Sequence, residues 1–216
     1  VDAVPARPWT TWAGQDVWQL PKRESSDDVN GWQATNPDEL TTITTELNNA
    51  EHFDGMYVPT VKLLRQTRRS LLGKSKPGGL TVELAAVHAF RTGRVLGPTR
   101  ADFYATALLE TGTVLYSAFV LGLGLDDPTM PGEKAVIRGT DEEKQALANA
   151  LLASAALARS AAKTFRDLLG TAVDDVGDTG HVFPMPKTCN DDGTAKRFTT
   201  VAAGDRAVPA GDRRFG

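Results

Sequence analysis

The chain has 216 residues, 41% of them hydrophobic and 24% charged, enough for one globular domain or two small ones. A net charge of −3 and a pI near 5.7 exclude a protein that coats nucleic acid by bulk charge, so any anion site has to be local. One cysteine, Cys189, excludes an internal disulfide framework and a cysteine-rich zinc site, and His52, His88 and His181 lack metal-ligand spacing. No apolar run reaches transmembrane length and no signal peptide opens the chain, so the expected compartment is the cytoplasm.

The first residues, VDAVPA, alternate like a short strand that Pro5 ends. Asp2 on that strand reads as a solvent-facing edge residue or as a metal-site carboxylate. All four tryptophans (Trp9, Trp12, Trp18 and Trp32) follow within about thirty residues, a pattern that anchors loops on a core through large buried rings. Val17 to Leu20 alternates like a second strand, and 21–31 reads as a polar loop.

A helix is predicted next. Asn36 stands as its N-cap, Pro37 at its first position, and Asp38 and Glu39 in its first turn, with Leu40, Ile43 and Leu47 as the buried face. After a polar break at 48–55 comes the stretch YVPTVKLLRQTRRSLLGKSKPGGLTVELAAVHAF, residues 57–90. Its first half is a basic amphipathic helix. Val61, Leu64, Leu71 and Leu72 mark the apolar side, and Lys62, Arg65 and Arg69 stack three and four apart as a positive stripe. Its second half is apolar all round, as a buried helix is. Thr81 is placed to cap that helix and Glu83 to sit in its first turn; His88 reads as a satisfied core histidine.

Thr99 precedes a further helix from Arg100 to about Leu121, with Phe103, Ala107, Leu108, Leu115 and Phe119 inside and Gly122 and Gly124 as its stop. Asp126 and Asp127, ahead of Pro128, read as a turn. Thr140 and Glu143 form a capping box opening a helix predicted to reach Leu169, roughly 43 Å at 1.5 Å per residue. From 171 to 216 the chain is rich in Asp, Gly, Pro and Thr and reads as a tail.

Taken in order, VDAVPA (1–6), GWQATNP (31–37), VPTVKLLRQTRR (58–69), GLTVELAAVHAF (79–90) and the alanine-rich helix ending in FRDLLG (165–170) resemble the cGAS/DncV-like nucleotidyltransferases of bacteria, relatives of oligoadenylate synthase. The resemblance covers about residues 1–170. It implies an α+β parent enzyme, a nucleotidyltransferase sheet plus a helical bundle. This chain would be its mostly α-helical C-terminal portion, with one or two short N-terminal strands. The implied divisions are 1–35 as the end of the catalytic core, 36–170 as the helical domain and 171–216 as a flexible tail.

The same resemblance implies functional residues. Asp2 matches the third of three acids that hold Mg²⁺ (or Mn²⁺), and the motif carrying the other two occurs nowhere in this chain. The implied activity is transfer of nucleotides from nucleoside triphosphates into cyclic di- or trinucleotide second messengers of anti-phage signalling, with the fragment alone inactive. Arg65 falls where the family usually carries a Lys on the donor phosphates, with Lys62 beside it. Gly79 and Leu80 stand where the family often has a small polar residue and an aromatic near phosphate and base, so the resemblance implies Arg65, Lys62 and Gly79 as nucleotide-binding residues. The end of the chain, with Gly216 last, implies joining to a target amine by a ubiquitin-activating-like partner enzyme. The readings set against this are a non-catalytic helical binding or regulatory module, and a nucleotide-adding toxin of the same superfamily.

Overall fold

The structure, a computed structural model, describes residues 6–8, 17–21 and 32–167, all within the unit Val1–Pro184. Asp2 and its expected strand, Trp9, Trp12, most of the loop at 21–31, and everything from 168 to Gly216 lie outside the described residues. The chain is mostly helical among the described residues, with a small sheet near its N-terminus.

Among the described residues the sheet has three antiparallel strands in the order β1 (Arg7–Pro8), β2 (Trp18–Pro21) and β3 (Trp32–Thr35). Trp18 lies opposite Thr35, and Gln19 opposite Ala34. The expected strand at 17–20 is β2, and β3 adds a pairing that the sequence reading did not include. The period-2 rule shows in burial: Val17 and Gln19 are buried, whereas Trp18 between them is 37% exposed. This corrects the expectation that Trp18 is an anchoring ring. Arg7 donates from Nε to Gln19 Oε1 at 2.9 Å, tying β1 to β2 through side chains as well as backbone.

Five helices follow among the described residues: α1 (Pro37–Asn49), α2 (Tyr57–Leu72), α3 (Gly79–Arg91), α4 (Arg100–Phe119) and α5 (Asp141–Asp167). Local chemistry sets their starts. Asn36 accepts from the Glu39 amide, and Thr99 accepts from the Asp102 amide. Thr140 and Glu143 close a reciprocal box, with Thr140 N–H on Glu143 Oε2 at 2.9 Å and Glu143 N–H on Thr140 Oγ1 at 3.3 Å. Gly122 and Gly124, both at positive φ, follow the end of α4 as the sequence predicts.

The core runs from Ile43 of α1 through Val61 and Leu64 of α2 and the middle and end of α3 (Val82, Leu84 to Val87, Ala89 and Phe90) to Leu108, Leu115, Leu147 and Leu151 of α4 and α5. At its centre Phe90 meets Tyr57 and Phe53 edge-on, with ring centroids 4.8 and 5.0 Å apart, and Phe103 at 5.9 Å. Such T-shaped contacts add to area burial because ring edges are positive and faces negative. Phe53 comes from the stretch expected to be a polar break; it is 2% exposed and is part of the core.

The α4–α5 seam depends on small residues. A side chain at Gly112 would stand 3.0 Å from Leu152 Cδ2 and 3.2 Å from its backbone N, so the absence of a Cβ permits the close approach. Ala148, Ala155 and Ala158 are buried on the facing helix. Gly97, in the turn before α4, is more constrained: a Cβ there would lie 2.3 Å from the Phe103 amide nitrogen. No helix among the described residues is long and apolar enough to cross a membrane.

Candidate functional site

Helix α2 divides its cations between two environments. Lys62, Arg65 and Arg69 are exposed, as the stripe reading expects. Arg68, beside them in sequence, is 6% exposed and turned inward. Its spacing accounts for this: Tyr57, Val61, Leu64 and Arg68 recur at the three- and four-residue steps of one helix face. The guanidinium donates to three backbone carbonyls of the loop between α2 and α3. Nε reaches Pro77 O at 2.8 Å, Nη1 reaches Gly73 O at 2.7 Å, and Nη2 bonds Ser75 O. Five donors in a fixed fork suit such a fan of acceptors. Burial pulls the Arg68 pKa below its ordinary value.

The apolar side of α2 also differs from expectation at one position. Leu71 is 36% exposed, and Leu72 takes the inner position at the end of the helix, packed against the core.

Arg68 thus fixes how the chain returns, and the return places α3 against the stripe. Gly78 is the N-cap of α3 and no side chain caps it. Thr81, expected as the cap, is a buried interior residue, because the helix begins two residues earlier at Gly79. Glu83 is therefore past the first turn. It pairs with Arg65, Nη1 to Oε2 at 3.1 Å, with Glu83 20% and Arg65 52% exposed.

Gly79 and Arg65 come together as well. A Cβ on Gly79 would stand 3.0 Å from Arg65 Nε and 3.6 Å from its Cγ. The Arg65 side chain therefore lies along the start of α3, from Gly79 to Glu83. Two of the three residues assigned to nucleotide binding share one place in the structure; Lys62 is on the exposed face of α2, one turn before Arg65. The geometry offers a planar cation beside the positive end of a helix dipole, suited to an anionic ligand.

Other candidates resolve as structural parts. His88 Nε2 lies 2.9 Å from the Asp126 carbonyl oxygen, so the ring is satisfied and half-buried. Asp126 pairs with Lys134 at 2.6 Å, which holds its carboxyl below the usual carboxylate range. Asp127 Oδ1 accepts from the amide and hydroxyl of Thr129, the turn that the sequence predicts. Among the described residues, no group of three or more His, Cys, Asp or Glu side chains converges to hold a metal. Asp2, to which Mg²⁺ is assigned, and Gly216, to which conjugation is assigned, lie outside the described residues.

Two groups near this region were not singled out in the sequence. The Tyr57 hydroxyl is buried without a hydrogen-bond partner, and burial, reinforced by the charge of Glu83, raises its pKa. Tyr104 shares a hydrogen bond with Thr67 and is pushed up to about 12 by burial. Neither has a sequence signal, since a tyrosine on an apolar helix face looks the same with or without a partner. Comparison of the chain with protein-family profiles, with curated proteins and with solved structures finds no match.

Proposed function

We propose that this chain is the helical portion of a Mg²⁺-dependent nucleotidyltransferase that makes cyclic di- or trinucleotide second messengers from nucleoside triphosphates, and that Arg65 contacts the donor phosphates. The observation that supports this reading is the meeting of Arg65 with Gly79 at the uncapped start of α3. A phosphate there would meet a guanidinium and the positive end of a helix dipole together. Lys62 adds charge one turn away, and Arg69 adds charge on the other side.

In this reading the chain's own residues bind and orient the triphosphate, which holds the reacting phosphorus in place and balances charge on the leaving group. Mg²⁺, held by Asp2 together with acids that this chain does not carry, would supply Lewis-acid chemistry when bound.

The test is a kinetic series in the complete enzyme. Arg65→Ala lowers turnover by about 1.5–3 kcal/mol in transition-state stabilisation, the range for a hydrogen bond to a charged group. Lys62→Ala and Arg69→Ala cost less, and Asp2→Asn abolishes product. Equal and small effects from the three cation substitutions would show that the stripe is only a solvated surface. A binding or regulatory module is the second reading, favoured by the Arg65–Glu83 pair, which gives Arg65 an internal partner without any ligand.

A further inference from the structure

We propose that Glu83 is a built-in counter-ion, a carboxylate that an incoming polyphosphate must displace from Arg65, and that it limits how tightly the site holds highly charged anions. The inference deepens the phosphate-binding role given to Arg65 above and rests on it.

Two observations carry the inference. The first is the ion pair itself, 3.1 Å from Arg65 Nη1 to Glu83 Oε2. The carboxylate is the more enclosed partner, 20% exposed on the body of α3, whereas Arg65 is 52% exposed. Glu83 is therefore the fixed member and Arg65 the one able to turn toward a ligand. The second is the contact with Gly79. With a Cβ position on Gly79 only 3.0 Å from Nε, the side chain lies against the first turn of α3 and reaches Glu83 one turn further on. Arg65 is held ready at the helix start, with the Nη1 donor already engaged.

A ligand that grips Arg65 with two oxygens needs two of its donors at once. It must then compete with Glu83 for Nη1 and tolerate a carboxylate nearby. A triphosphate chain keeps its other oxygens on Lys62 and the start of α3 while it displaces the acid. The carboxylate therefore weakens binding of every anion, and because repulsion scales with ligand charge it penalises the most charged most.

The experiment measures binding of inorganic triphosphate and of orthophosphate to the 216-residue chain by titration calorimetry at low salt, with helicity followed by circular dichroism. Glu83→Gln and Glu83→Ala should both bind triphosphate about two- to five-fold more tightly than the parent, the scale of a half-exposed ion pair. The ratio of triphosphate to orthophosphate affinity should rise, because the repulsion removed is larger for the more highly charged ligand. Arg65→Ala should weaken triphosphate binding and remove the effect of Glu83→Ala in the double variant. If Arg65→Ala weakens binding while both Glu83 variants leave it unchanged or weaken it, the counter-ion role is overturned and Glu83 only positions Arg65. If Arg65→Ala leaves binding unchanged, the phosphate role of Arg65 fails and the inference falls with it.

Discussion

The α4–α5 seam and the α2–α3 face are both helix pairs, yet they are held by different forces. Along α4–α5, Gly112 and the alanines of α5 bring the backbones close, and Leu108, Leu115, Leu147 and Leu151 fill the space on the core side. That pairing is dispersion and burial, with no charge in the seam among the residues named. Between α2 and α3 the apolar contacts of Val61, Leu64, Val82 and Ala86 are joined by two arginines with separate tasks. Arg68 works inward on backbone carbonyls, and Arg65 works outward on a carboxylate. One seam provides rigidity. The other places a charge at the surface, half exposed and paired with Glu83.

The largest effect that would sharpen the comparison comes from Leu151→Ala. Leu151 is fully buried in the core, and truncation should cost about 2–5 kcal/mol through lost transfer energy and a cavity. Urea unfolding followed by helicity measures it, with the midpoint falling at constant slope. A cost under about 1 kcal/mol would mean that the core around α5 collapses freely and is not the rigid side of the pair.

Arg68→Met comes next and separates the two arginines. It keeps the stem but strands the carbonyls of Gly73, Ser75 and Pro77, at about 1.5–3 kcal/mol for hydrogen bonds to a charged donor. Faster amide exchange confined to 73–78 should accompany the loss. Arg65→Ala, removing a half-exposed pair, should change stability by less than about 1 kcal/mol. Equal costs for the two would erase the distinction between an inward and an outward arginine.

The smallest effect is at the entry to α5. Thr140→Ala removes the hydroxyl that accepts from Glu143 and should cost about 1 kcal/mol, read from the same unfolding curves. An unchanged midpoint would show that packing along α4 fixes the start of α5 without its cap.

Much of the helical architecture was legible because its signals are local. Asn36, Thr99 and the Thr140–Glu143 box are side chains that satisfy amides three residues on, so their meaning lies within one turn of sequence. Periodicity likewise gave Ile43, Val61, Leu64, Phe103 and Leu108 as core. It would also have given Arg68, which shares the face of Val61 and Leu64, had charge not been taken to mean exposure. Phe53 was missed for a related reason: a single aromatic in a polar turn has no period to reveal it.

The sequence alone determined where most helices begin and which faces they bury, since both follow from contacts within three or four residues. Only the tertiary structure decided what the charges do. Arg65, Arg68 and Arg69 are chemically identical and nearly adjacent, and their fates diverge because α3 returns across one side of α2 and leaves the other open. Glu83 pairs with Arg65 across eighteen residues of chain, and Gly79 leaves room for that side chain just after a loop that Arg68 fastens. Pairings at that separation are set by how the helices pack, and no local pattern encodes them.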